Sequence, residues 1–160
     1  MSAWVLTRNV TGSQWFFGSG FLANNAAFIV GVQAGAWAVT QYGAVVFVTG
    51  AAANVWAHIV VVNAGTQWTI YANGIPVTGT MTTTLAAHPV FLGSYGGGGY
   101  WNGQIADVAI WQRALTAGEI MQLYQLGRGG MYQRRRRRAI YLPQDGFQAA
   151  WAREIGRAHV

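Results

Sequence analysis

The chain has no cysteine and no lysine, and acidic residues are scarce, with four Asp and Glu among 160 residues. The absence of cysteine rules out disulfides and thiolate zinc sites and leaves the redox compartment open. The shortage of carboxylates bears on catalysis and on calcium. Most glycoside hydrolysis needs two positioned carboxyl groups, and a tight calcium site gathers several oxygen ligands, usually including carboxylates. Charged residues make up only 9% of the chain, where about a quarter is ordinary. No stretch reaches 18 uninterrupted apolar residues, so no membrane span is expected. Met1-Ser2-Ala3-Trp4-Val5 lacks the basic start and long apolar run of a secretory signal.

Apolar residues, by contrast, form 52% of the chain, aromatics 14%, and there are 22 glycines. That is enough apolar material for the core of one domain. Short runs rich in Val, Ile, Thr, Phe, Tyr and Trp recur about every ten residues, with Gly, Asn and Thr between them, the rhythm of an all-β sandwich. Strands are predicted near 2–8, 14–21, 27–33, 36–42, 44–49, 56–63, 66–72, 75–80, 89–94 and 104–112. Residues 55–62 are apolar on both faces except at His58, which predicts a central strand covered on both sides. Asn73-Gly74 is a hairpin signal, because both residues tolerate the positive φ of a type I′ turn. Pro76 cannot donate to a ladder, so its strand belongs at an edge or a bulge. Residues 96–99 are four glycines between Tyr95 and Tyr100-Trp101.

The most explicit stretch is 101–126. Asn102-Gly103 marks a turn, and a strand over 104–112 would place Ala106, Val108 and Ile110 on one face and Asp107 and Trp111 on the other. Thr116 precedes Glu119 by three residues, the spacing of a capping box, and Leu115 is placed to pack on Ile120 as a hydrophobic staple. Ile120, Leu123, Tyr124 and Leu126 supply the apolar stripe of a helix, which Gly127 is expected to end.

The run Asn102-Gly103-Gln104-Ile105, then Asp107-Val108-Ala109-Ile110-Trp111-Gln112-Arg113-Ala114-Leu115-Thr116, then Glu119-Ile120, resembles the closing segment of laminin G-like, concanavalin A-like jelly-roll domains. Trp56-Ala57-His58-Ile59-Val60-Val61 resembles the Trp-x-His strand of that class, and Ile70-Tyr71-Ala72-Asn73-Gly74 its strand-to-hairpin motif. The resemblance covers residues 1–126. It implies an antiparallel all-β jelly-roll sandwich with one short helix after the last strand. It also implies that a strand normally precedes the segment at Ser2, and an extracellular, surface or virion setting. Fold alone does not fix function, because such folds host unrelated roles.

Residues 1–126 carry four charges, Arg8, Arg113, Asp107 and Glu119, and are neutral overall; the net +6 lies in residues 127–160, with eight Arg against Asp145 and Glu154. Residues 127–153 read as a basic extension that opens with a flexible arm over 127–138, and Ala139–Leu142 has the composition of a short strand. Residues 154–160, Glu-Ile-Gly-Arg-Ala-His-Val, match an in-frame translation of a common short-read sequencing adapter and are set aside as an artefact.

The chemistry is read from this inventory. Glu119 is accounted for by the capping box, and Asp107 stands alone on its strand, so a carboxylate pair is not expected. His58 or His88 could formally join Asp107 in a triad, but no Gly-x-Ser-x-Gly elbow supplies the nucleophile. Asn24, Asn25 and Asn54 could make only a weak calcium site, so no cofactor, no metal site and no enzymatic activity are expected. The remaining candidate is a binding surface, because carbohydrate sites in such sandwiches stack sugar rings on exposed aromatics. Tyr95, Tyr100 and Trp101 flank the glycine run and are the first candidates, followed by Trp37 and Tyr42. Trp4, Trp56, Trp68 and Trp111 are assigned to packing. Arg134, Arg135, Arg136, Arg137 and Arg138 could contact nucleic acid or another acidic partner with strong salt dependence. The expected function is a non-catalytic binding module for carbohydrate or another surface ligand. The alternative is a structural or display domain on a phage or other particle, with the Arg run as an assembly contact.

Overall fold

The computed structural model describes residues 1–20, 26–41, 43–82, 89–96 and 98–136, of which Thr49 and 129–136 are described by backbone alone. Among the described residues, ten strands run in the order β1 (Ser2–Thr7), β2 (Ser13–Gly20), β3 (Ala27–Gln33), β4 (Ala36–Thr40), β5 (Val45–Thr49), β6 (Trp56–Ala64), β7 (Gln67–Ala72), β8 (Ile75–Thr80), β9 (Val90–Leu92) and β10 (Gly103–Ala109). One helix, α1 (Ala117–Arg136), follows. The strands form two five-stranded sheets ordered β10-β1-β6-β7-β8 and β5-β4-β3-β2-β9. All neighbours are antiparallel. This is the sandwich that the strand rhythm and the resemblance imply. Residues Met1–Gly127 form one compact unit and Arg128–Val160 a second.

β6 is the central strand of the first sheet, and Pro76 lies on its edge strand β8. The alternation of β6 explains its place. Ala57, Ile59 and Val61 face the core between the sheets, together with Ala3 and Val5 of β1, Trp37 and Val39 of β4, and Ile70 of β7. On the other face of the first sheet, Val60 is buried with Leu115 and Ile120 at the start of α1. Asn73 (φ 53°) and Gly74 (φ 84°) form the predicted tight turn. The Asn73 side chain accepts the His58 backbone N–H at 2.9 Å, and the Asn73 N–H donates to the His58 carbonyl at 2.8 Å.

The helix start has the geometry that the sequence specifies. The Glu119 N–H donates to Thr116 Oγ1 at 3.3 Å, and the Thr116 N–H donates to Glu119 Oε2 at 2.8 Å. Arg113 adds a two-pronged ion pair to Glu119, with Nη1 donating at 2.9 Å. The Arg113 hydrogen bonds, assisted by the Thr116 N–H, hold the Glu119 carboxyl down to about 2.

The helix does not end at Gly127, and residues 128–136 are helical rather than an irregular arm. Gly127 has a different reason to lack a side chain: a Cβ there would collide with Nε1 of the Trp4 indole. Leu126 is 66% exposed and falls outside the buried stripe.

A bulge alters the faces of β10. Ala106 pairs with Trp4 and Ala109 with Ser2, so Asp107 and Val108 together oppose the single residue Ala3. Asp107 takes φ 51°, a left-handed conformation that Asp tolerates better than most residues. Ile105 and Val108 therefore both pack on the core, and Ala106, Val108 and Ile110 do not share one face as expected.

Candidate functional site

A second bulge, in β2, creates the most distinctive surface. Trp15 pairs with Gly31 and Phe17 with Val30, so Phe16 is an extra residue between them. Phe16 and Phe17 both join the inter-sheet core. Trp15 is turned to the opposite face, where it packs with Ala27, Ile29, Ala38 and Tyr95. Trp15 was not a candidate from the sequence, because strict alternation through Trp15-Phe16-Phe17 gives no sign of the extra residue.

The glycine-bearing loop after β9 lies along this strand. The Gly93 N–H donates to the Phe16 carbonyl at 2.9 Å, the Trp15 N–H to the Gly99 carbonyl at 2.8 Å, and the Trp101 N–H to the Gly93 carbonyl at 2.8 Å. Two glycines make this approach possible. A Cβ at Gly18 would stand 2.5 Å from Tyr95 Cα, and one at Gly99 would collide with the Trp15 indole. Tyr100 forms a single bridge with Trp15, and its side chain is 78% exposed. The loop thus sets a half-buried Tyr95 and an open Tyr100 beside Trp15 on a pinned backbone. Phe91 is 36% exposed and lies under Gly96 of the same loop.

The sequence candidates divide between this surface and the core. Tyr95 packs against Trp15 on the outer face, and the backbone of Tyr100 bridges to Trp15. Trp37 is only 2% exposed, so it offers no free face for stacking and is corrected to a core residue. Trp101 points inward as well, with its ring 5.4 Å from Phe16 and 6.3 Å from Trp37, and its Nε1 donates to the Gln104 carbonyl at 3.3 Å. Tyr42, Arg137 and Arg138 lie outside the described residues, as do His88, Asn24 and Asn25. Arg134, Arg135 and Arg136 belong to the backbone of α1.

Next to Tyr100 the sandwich end is polar. The Arg8 N–H donates to the Asn102 carbonyl at 2.8 Å, and Gln14 Oε1 accepts the Asn102 N–H at 3.0 Å. Asn9 Oδ1 accepts the Thr11 N–H at 2.8 Å, and the Asn54 N–H donates to the Thr7 carbonyl at 2.6 Å. These bonds engage the groups with one another, and Gln14 and Thr7 are buried, whereas Asn9 and Asn102 are exposed.

At the far end of β6 lies a cleft of about 440 Å³. Phe17, Phe28, Trp68, Asn63, Trp111 and Arg113 are among the residues that line it. The Trp68 indole N–H is buried there without a hydrogen-bond partner.

His58 sits apart from both surfaces, under α1. Its ring is 5.1 Å from Trp4 and 6.1 Å from Tyr124, and its Nε2 lies 3.1 Å from Ser2 Oγ. Among the described residues its Nδ1 has no hydrogen-bond partner, so none of their carboxylates orients this imidazole as a triad requires. Burial pushes its pKa down to about 4. Among the described residues no three His, Asp or Glu side chains converge in a way that could hold a metal ion.

The profile of the concanavalin A-like lectin/glucanases superfamily matches residues 1–121. No curated protein matches the sequence. Among solved structures, the fold is similar to Trypanosoma rangeli sialidase, at 20% identity and a TM-score of 0.61 over 77% of this chain and 22% of that one. It is also similar to domain 4 of AbnA, a GH43 extracellular arabinanase from Geobacillus stearothermophilus, in a complex with arabinotriose. That match has 19% identity and a TM-score of 0.60 over 78% of this chain and 65% of that domain. The chain thus spans about a fifth of the sialidase. With a sequence profile over most of its length and a two-sheet sandwich that agrees with it, the chain belongs to the concanavalin A-like lectin/glucanase superfamily.

Proposed function

We propose that this domain is a non-catalytic carbohydrate-binding module whose ligand stacks on Tyr100, with Tyr95 and Trp15 behind it. The observation that carries the reading is the 78% exposure of Tyr100 on a backbone held by the Trp15 pairing. An aromatic ring open to solvent on a held backbone is suited to the apolar face of a pyranose or furanose. The exposed Asn102 and Asn9 supply polar groups at the same end of the sandwich. The similar AbnA domain in complex with arabinotriose favours a glycan over other ligands. The charge inventory favours binding over hydrolysis: Glu119 is committed to the helix cap, and His58 has no carboxylate partner among the described residues. The reading needs neither calcium nor another cofactor.

The test is a glycan array probed with the full chain, then titration of the best oligosaccharide into the protein and into a Tyr95→Ala, Tyr100→Ala double variant. Each lost ring contact should remove about 0.5–1.5 kcal/mol, the scale of aromatic pairing, so affinity should fall about tenfold, while far-ultraviolet circular dichroism shows the double variant still folded, with some stability lost from the Tyr95 packing. Unchanged affinity would overturn the site.

A further inference from the structure

We infer that α1 is a proton-released cover: when His58 takes up a proton, the stretch of α1 around Tyr124 leaves the first sheet while the sandwich beneath it stays folded. The argument starts from what the imidazole lacks. His58 is 1% exposed. Its Nε2 lies 3.1 Å from Ser2 Oγ, and its Nδ1 has no partner among the described residues. A neutral imidazole donates from one nitrogen, whereas the protonated ring donates from both. Ser2 can serve one of them, and the other has no acceptor. The neighbouring elements bring no compensating charge. β1 contributes the Trp4 ring, the turn after β7 contributes the Asn73 amide to the His58 backbone, and α1 contributes Tyr124, a phenol that acid leaves neutral. Glu119 of α1 is bound to Arg113, and Asp107 lies exposed on the β10 bulge. Arg8 and Arg128, both exposed, carry the same sign as an imidazolium.

β6 lies between two covers of unequal size, which decides what gives way. Ala57, Ile59 and Val61 belong to the large inter-sheet core. On the His58 side the buried cluster is Val60, Leu115 and Ile120, followed by the Trp4–Tyr124 stack at 5.8 Å. The helix is also weak by composition, with glycines at 118, 127, 129 and 130. Glycine is among the poorest helix formers, and a helix of this length depends on docking for its stability. Releasing α1 is therefore the least costly opening that brings His58 to water. Burial holds the covered imidazole down to about 4, so below the ordinary value of 6.5 the open form binds the proton more tightly and acid favours opening.

The test is hydrogen–deuterium exchange of the full chain at pH 7.5 and pH 5, corrected for intrinsic rates, in the wild type and a His58→Gln variant. Residues 117–127 report on α1 and residues 56–64 on β6. Glu119, held at about 2, stays ionised at pH 5, so the helix cap is intact. The Met1 amino group, lowered by burial to about 6, also titrates in this window, but it is present in both proteins. The expected result is that α1 is less protected than β6 at both pH values. Its protection in the wild type should fall about 30-fold at pH 5, as follows from 6.5 in the open form and about 4 in the covered one. In His58→Gln that fall should vanish. Equal protection of α1 and β6 means that the helix opens only with the whole domain and overturns the proposal. A fall that persists in the variant, or no fall in the wild type, overturns the role of His58. Should the variant fail to fold, nuclear magnetic resonance of the wild type decides. The His58 ring signals and the α1 amides should move with one midpoint, and a ring that titrates while α1 stays still overturns the proposal.

Discussion

Gly99 lies against the indole of Trp15: its carbonyl accepts the Trp15 N–H at 2.8 Å, and a Cβ on it would collide with the ring. Gly99 also takes φ 54°, which glycine adopts without strain. Replacing Gly99 by Ala therefore has to lift the loop from β2, moving Tyr100 with it. We expect Gly99→Ala to weaken glycan binding at least tenfold in a titration, while far-ultraviolet circular dichroism keeps the β signature. Wild-type affinity in this variant would mean that the loop position does not matter for binding.

Gly127 and Gly118 make opposite predictions within one helix. Ala is favoured over Gly in a helix by up to about 1 kcal/mol. At Gly118 nothing lies within 4 Å of a new Cβ, so Gly118→Ala should raise stability. At Gly127 the new methyl would meet the indole of Trp4, which is only 5% exposed. Overpacking of that kind costs about 1–3 kcal/mol, so Gly127→Ala should lower stability. Urea melts of the two variants should move in opposite directions.

His58 sets an acid limit on stability. Its pKa is lowered by burial to about 4 in the fold, from an ordinary 6.5. Above 6.5 the imidazole is neutral in both folded and unfolded chains and its contribution is constant. As pH falls from 6.5 to 4 the unfolded chain takes up the proton first, so stability is lost across that window, by about 3 kcal/mol at pH 4. The loss should be read as the difference between wild type and His58→Phe in urea melts at pH 7.5 and pH 4. Parallel pH profiles would show that His58 is not buried as a neutral ring. Glu119 acts in a lower window, because its depressed pKa sustains the helix cap until pH falls from the ordinary carboxylate value towards about 2.

Thr116 tests the cap directly. Its hydroxyl accepts the Glu119 N–H, and removing an N-cap hydroxyl usually costs about 1 kcal/mol. Thr116→Ala should destabilise by that amount, and Thr116→Ser should recover most of it.

The features that the sequence announced are local ones. The capping box, the staple from Leu115 to Ile120 and the Asn73-Gly74 turn each depend on a few neighbouring residues whose chemistry has one good solution. The central place of β6 and the edge place of Pro76 follow from composition within one strand. What the sequence did not announce depends on partners far along the chain. The bulges at Phe16 and Asp107 shift alternation by one residue, and only the pairing with Gly31 or Ala3 reveals them. That is why alternation alone does not single out Trp15, and why Ala106, Val108 and Ile110 do not share one face as an unbroken strand would have them. Trp37 and Trp101 look like any surface aromatic in sequence, yet they meet each other and Phe16 inside the sandwich. Gly127 looks like a helix terminator, whereas its real constraint is Trp4, more than a hundred residues earlier.

The most direct test of the binding surface is chemical-shift mapping of the isotopically labelled chain during titration with an oligosaccharide selected on the array. Two indole signals mark the alternatives: Trp15 behind Tyr100, and Trp68 in the cleft of about 440 Å³ at the other end of β6. The expected result is movement of the Trp15 indole and of the amides of Gly98, Gly99, Tyr100 and Asn102, with Trp68 unmoved. Shifts confined to Trp68, Asn63 and Gln112 would place the ligand in the cleft and contradict the assignment of Tyr100.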